Sequence, residues 1–235
     1  MPDGEIAAAA AALERRTGAD GAPRSGSGPL VGHCSGATTL DVLAPHEAFS
    51  LHPLMTVPAD GPSQLAGASA AIAGSTPRAR GVAHQLALHL GLTPIDVADD
   101  DRAAYHAAAS IASNFLITLE AAAERLAADA GVDRAALVPL VRATVENWAS
   151  LGAERALTGP IARGDEETVI RQRHAIAMRA PDLLPLFDAL AATTRSLASG
   201  ADRAGGAGET ISAAPPAESS SPATGPARSS AGARA

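Results

Sequence analysis

On a helix that advances roughly 100° per residue, Arg102, His106, Ser110, Ser113 and Asn114 of "RAAYHAAASIASNFLITLEAAAERL" fall in one stripe. The stripe holds a guanidinium, an imidazole, two hydroxyls and a carboxamide, groups that bind and orient a small polar molecule. Its later turns carry Glu120 and Glu124 instead. A polar stripe on an amphipathic helix usually faces water. Short uncharged donors and acceptors fit a semi-enclosed cleft better, so the first turns are expected to border one. Tyr105, Ile111, Phe115, Leu116 and Leu119 lie on the other side and are expected to form the core face.

Two further groups carry chemistry. "VGHCSG" and "SLHPL" place His33, Ser35 and His52 at or near the ends of two apolar runs, and in open α/β sheets ligands bind beyond the carboxyl ends of parallel strands. A single histidine is more often structural than catalytic; three polar groups at neighbouring strand ends strengthen the functional reading. In "LTGPIARGD", Gly159, Pro160 and Gly164 turn the chain and Asp165 suits a helix N-cap, with Glu166 and Glu167 in the first turn. That turn does not account for Thr158 and Arg163. An arginine in a glycine-flanked bend suits a carboxylate or phosphate.

The elements that must position these groups follow from periodicity and punctuation. Over residues 1–98, helical runs near 5–16 and 76–90 alternate with short apolar runs in "GPLVGHCSG", "EAFSLHPLMTVP", "LAGASAAIAG" and "LTPIDVA", which read as strands. Residues 99–199 read as helices throughout. The acidic "ADDDR" opens the first, which stops at Gly131; the others cover 133–152, begin after Asp165 and follow Pro181. From residue 200 to 235 the chain is rich in Ala, Gly, Ser and Pro, and this tail is expected to be disordered. The domains expected are thus 1–98, 99–199 and the tail.

Composition narrows the function. The 235 residues are 46% hydrophobic and 18% charged, enough apolar material for one or two packed domains. A net charge of −7 and only five aromatic residues argue against nucleic acid and anionic membranes as partners. All 18 basic residues are arginine, so no lysine serves as base, Schiff-base former or phosphate ligand. Cys34, the single cysteine, forms no internal disulfide and is expected as a small buried residue. The opening "MPDGEIAAAAAALERR" lacks the basic start of a signal peptide, and no apolar run approaches the roughly 20 residues that span a bilayer; a soluble cytoplasmic protein is expected. HExxH, GxSxG and GxGxxG are all absent, and the scattered histidines argue against a metal site.

Five stretches in order, "HCSGATTLDVLAP", "SLHPLMTVP", "DRAAYHAAASIASNFLITL", "LVPLVRATVENWASLG" and "ALTGPIARGDEETV", resemble one family: predicted oxidoreductases that join a Rossmann-like NAD(P)-binding domain to the helical domain of unknown function 2520. The resemblance covers nearly all of residues 1–199. It implies an α/β Rossmann-like layer followed by an all-α domain similar to the C-terminal domain of 6-phosphogluconate dehydrogenase. Ketopantoate reductase and prephenate dehydrogenase are similar in architecture.

The resemblance also implies roles. The cofactor is NADP or NAD, the substrate a small keto or hydroxy acid, and the assembly a homodimer. In related dehydrogenases the first long helix presents polar residues at i and i+4 to the substrate, a spacing shared by Ser110 and Asn114. His106, one turn earlier, is the candidate proton donor or acceptor, since an imidazole titrates near neutrality. Ser110 and Asn114 would orient the reacting group, and Thr158, Arg163, Asp165 and Arg102 would hold the substrate. His33, Ser35, Gly36 and His52 would border the nicotinamide. Family members carry a strand and glycine-rich turn before the equivalent of "MPDGEIAAAAAAL", where this sequence starts; a truncated copy, a misassigned start or a fragment whose other half comes from elsewhere is therefore expected, with weak or no cofactor binding by the chain as given. The alternative is a non-catalytic helical module that dimerises or binds a small ligand.

Overall fold

The structure, a computed structural model, describes residues 2–17, 29–57 and 65–200, with the backbone alone at 14–17. The expected tail at 201–235 lies outside the described residues. The chain divides into two compact units, Met1–Leu140 and Val141–Ala235.

In the first unit, helix α1 (Ile6–Thr17) precedes β1 (Val31–His33) and β2 (Ala48–Pro53). Strand β3 (Ser69–Gly74), helix α2 (Pro77–His89) and β4 (Thr93–Asp96) follow as a βαβ unit. The four strands form one sheet in sequence order. The β1–β2 and β3–β4 pairs are parallel and β2–β3 is antiparallel. His33 pairs with Ser50, so the carboxyl ends of β1 and β2 share one edge. This is the α/β arrangement that the four apolar runs predict.

Period-two alternation sends β2 side chains to both faces. Leu51 joins Ala70 and Ile72 of β3 against Ala83 and Ala87 of α2. Ala48 packs on the opposite face with Ile6 and Ala10 of α1 and Leu43. Alanine supplies four of the seven buried residues on the α2 face, so that helix approaches the sheet closely. At the β3–α2 corner a Cβ on Gly74 would stand 2.2 Å from the backbone nitrogen of Arg80, and no side chain fits. Thr76 caps α2 by accepting from Ala79 N–H at 3.1 Å, and Pro77 takes the first helical position.

Beyond the sheet the chain is helical. Asp99–Asp101 form a 3-10 turn that leads into α3 (Arg102–Ser110), which continues through a π-helical turn at Ile111–Phe115 into α4 (Leu116–Asp129). Gly131, at φ 75°, ends it in the left-handed region. Helix α5 (Arg134–Leu151) carries Pro139 within it.

The second unit holds α6 (Ala153–Ala156), α7 (Glu166–Arg179) and α8 (Leu184–Ser199). Bidentate pairs of Arg173 with Asp188 and of Arg195 with Glu166 join α7 to α8.

Three expectations change. Ile111 and Phe115, placed on the core face by a regular helical period, are 61% and 56% exposed. The wider i→i+5 turn advances less per residue than an α-helix, so a stripe extrapolated through it loses register. Cys34 is exposed rather than buried: it follows β1 between inward His33 and Ser35 and so points the other way. The four-residue α6 was not anticipated, because "AERA" is too short to show a period.

Candidate functional site

The carboxyl ends of β1 and β2 and the start of α3 meet, and Arg102 is the centre of the junction. It is fully buried, the largest side chain so enclosed among the described residues. Its Nε donates to Asp99 Oδ1 at 2.8 Å, its Nη2 to the hydroxyl of Ser50, and its Nη1 to the Ser35 carbonyl at 3.5 Å. One planar guanidinium thus ties the first turn of α3 to both strands. These donors are committed within the protein, so Arg102, a substrate ligand in the sequence reading, acts here as a positioning residue.

Ser35 is committed in a similar way. Its hydroxyl donates to Asp3 Oδ2 at 2.6 Å, lies 2.8 Å from Thr38 Oγ1, and accepts from the backbone N–H groups of Ala37 and Thr38. These bonds fold the "CSGATT" loop over the end of β1. His33 Nδ1 accepts from Ser35 N–H at 3.3 Å, whereas its buried Nε2 has no hydrogen-bond partner. An unpartnered buried donor costs free energy that a bound acceptor would recover.

The groups able to act on a ligand stand beside this anchor. His52 Nδ1 is 2.9 Å from the Tyr105 hydroxyl, and the His52 and His106 ring centroids are 5.9 Å apart at 71°. Gly36 lies against both rings: a Cβ there would be 2.6 Å from His106 Cδ2 and 2.9 Å from His52 Cε1. Here glycine is required for close approach. The structure therefore brings together His33, Ser35, Gly36, His52, Arg102 and His106. Ser110 is half-buried one turn on, and Asn114 is exposed within the π turn. Such turns recur at functional sites.

Thr158, Arg163 and Asp165 belong to the second unit. The exposed Thr158 precedes a turn in which Gly159 and Gly164 have positive φ and Asp165 N–H bonds to the Pro160 carbonyl at 2.9 Å. Asp165 caps α7 through Thr168 N–H at 3.1 Å, so its carboxylate is occupied. The side chain of Arg163 is exposed. Among the described residues no group of three or more His, Cys, Asp or Glu side chains is placed to hold a metal ion. No described helix is long and apolar enough to cross a membrane.

Sequence reasoning missed Ser50, Asp3 and the polar role of Tyr105. The i, i+2 alternation of Ser50 and His52 along β2 was the available signal for Ser50. Nothing local marks Asp3.

Burial holds the pKa of His33 below the ordinary 6.5, aided by Arg102 and opposed by the Thr39 backbone, Asp3 and Asp99. Burial does the same to His52, aided by His106 and Arg102 and opposed by Asp3. Below pH 6.5 the unfolded chain therefore binds more protons than the folded one. Stability fully present above pH 6.5 is lost as the pH falls toward the folded-state values. The urea midpoint is expected to drop between about pH 7.5 and about pH 5.5, and to drop less in a His33→Gln, His52→Gln double variant. Parallel curves for the two proteins would assign the loss to other groups.

The comparisons with known proteins agree with this architecture. Residues 68–194 match the family described as domain of unknown function DUF2520, which bears out the family resemblance; the matched span contains the last three of the five motifs. A structure from Bacteroides fragilis, provisionally designated an NADP oxidoreductase, gives a TM-score of 0.69 at 20% identity, over 83% of this chain and 73% of that one. Protein TM1727 from Thermotoga maritima gives 0.69 at 22% identity, over 85% and 77%. At these identities the likeness establishes the fold. Among curated proteins the chain has no match.

Proposed function

The chain belongs to the DUF2520 family, and from that premise we propose an NAD(P)-dependent oxidoreductase acting on a small keto or hydroxy acid. The observation that carries the reading is the meeting of His52, Tyr105 and His106 over Gly36, at the shared carboxyl end of two parallel strands. This is the edge where α/β sheets bind ligands.

The residues fit one end of a nicotinamide dinucleotide. His33 Nε2, buried and unpartnered at the end of β1, offers a donor to a carboxamide or ribose oxygen. No GxGxxG occurs in the sequence to hold the pyrophosphate. When bound, a nicotinamide supplies or accepts the hydride. The protein's own residues handle the rest: His106 gives a proton to the substrate oxygen on reduction and takes it back on oxidation, and Ser110 and Asn114 orient that oxygen. In the second unit, taken by itself, Thr158 and Arg163 beside the Gly159–Gly164 turn are proposed as ligands of a carboxylate or phosphate.

Self-association accompanies this reading. Leu140, Val145 and Trp148 of α5 are 64%, 41% and 59% exposed, and no residue of that helix is buried. A helix with apolar side chains and no buried face needs a covering surface. A second copy of this chain, the assembly that the resemblance implies, is the proposed occupant.

Calorimetric titration with NADPH is expected to show weak binding to the 235-residue chain and tight binding once a strand–GxGxxG–helix segment is joined in front of it. The extended form is expected to turn over at least one member of a panel of 2-keto and 2-hydroxy acids. No turnover across the panel with either cofactor, despite tight binding, would overturn the proposal.

A further inference from the structure

The proposed chemistry leaves Tyr105 without a part. Its hydroxyl lies 2.9 Å from His52 Nδ1, with the rings edge to face at 5.6 Å and 89°. Burial raises the Tyr105 pKa above the ordinary 10.0, against the pull of Arg102, so the phenol keeps its proton at neutral pH. His52 is neutral there: burial, His106 and Arg102 lower its pKa, and Asp3 opposes them. A neutral imidazole has one accepting and one donating nitrogen. A neutral phenol can donate or accept, but the Tyr105 hydroxyl meets no hydrogen-bond partner other than His52 Nδ1 among the described residues, so its proton is assigned to that nitrogen. Nδ1 is then the acceptor, and the ring proton sits on Nε2.

That second nitrogen is the one turned toward the glycine. A Cβ on Gly36 would be 3.0 Å from His52 Nε2, on the same ground that His106 borders through Cδ2. Resting on the reading of this cleft as the substrate site, we propose that Tyr105 is a positioning residue. It holds His52 as the Nε2–H tautomer, a fixed hydrogen-bond donor over Gly36, and leaves proton transfer to His106. In this tautomer His52 stabilises negative charge developing on a carbonyl oxygen and accepts no proton at Nε2. The two histidines thereby have different tasks although they stand side by side.

Proton–nitrogen correlation NMR on the labelled, ligand-free chain at neutral pH tests this directly. His52 is expected to show an unprotonated Nδ1 and a protonated Nε2. Tyr105→Phe removes the hydroxyl and keeps the ring, and should lower the tautomer ratio about fivefold, the size of one net hydrogen bond. His33, held in the same tautomer by Ser35 N–H, is the internal control and should not change. A wild-type His52 protonated on Nδ1 would overturn the proposal, as would a ratio unchanged in Tyr105→Phe. Should the variant disturb His33 as well, the wild-type spectrum decides. No turnover enters these measurements, so an inactive chain with a locked His52 counts against the functional reading and not against the lock.

Discussion

Arg102→Ala is expected to lower the unfolding free energy by about 3 kcal/mol, the scale of removing one partner from a buried charged network. The guanidinium is fully enclosed and meets Asp99, Ser50 and the Ser35 carbonyl. Truncation leaves a buried hydroxyl and a backbone carbonyl without their donor, and it opens a cavity where the side chain lay. Asp99 is partly exposed and recovers some hydration, which keeps the loss from being larger. Arg102→Lys should fall well short of restoring the wild type, because one ammonium does not span acceptors that a planar fork reaches together.

Arg80→Ala provides the contrast. Its bidentate pair with Asp96 has good geometry, at 2.8 and 2.6 Å, but both side chains are 58% exposed, so a much smaller loss than for Arg102→Ala is expected. Urea unfolding of the three variants followed by circular dichroism checks the ranking. Equal losses for Arg102→Ala and Arg80→Ala would refute a structural centre at Arg102. The two Arg102 variants should also disturb the His52 signals, and Arg80→Ala should not, because Arg102 fixes the turn of α3 from which Tyr105 and His106 project.

The second large effect is on turnover. In the form extended with a nucleotide-binding segment, His106→Ala and Asn114→Ala are each expected to reduce turnover by roughly 10²-fold, the usual contribution of general acid–base catalysis and its positioning. His106 is half-buried beside His52, and Asn114 is exposed in the π turn, so neither change should unfold the chain. Glu124→Ala, farther along the same helix and 3.8 Å from Arg134, is the control and should leave turnover unchanged. Thermal melts of all three separate lost folding from lost chemistry. Equal activity in the three would end the case for a catalytic stripe and leave α3 as a packing element.

The sequence by itself determined the elements and their limits. Strand runs of three to six residues flanked by Gly and Pro, the Thr76–Pro77 helix start, the Asp165 cap and the left-handed stop at Gly131 are local signals. Each is set by backbone freedom or a hydrogen bond within a few residues, so a short window contains the cause. The same holds for His33 and His52 at strand ends, since alternation and the ends of the apolar runs place them.

Tertiary structure alone decided what these groups touch. Arg102 reads as one more polar residue on a helix face; its burial depends on Ser50 and Ser35, 52 and 67 positions away. Tyr105 reads as core until strand order brings His52, 53 residues earlier, within reach of its hydroxyl. Asp3 meets Ser35 across 32 residues. The π turn at Ile111–Phe115 escaped as well, because a period measured over a whole helix averages out one wide turn. Propensity acts over a single turn or strand, whereas a buried charge is tolerated only where distant partners arrive together.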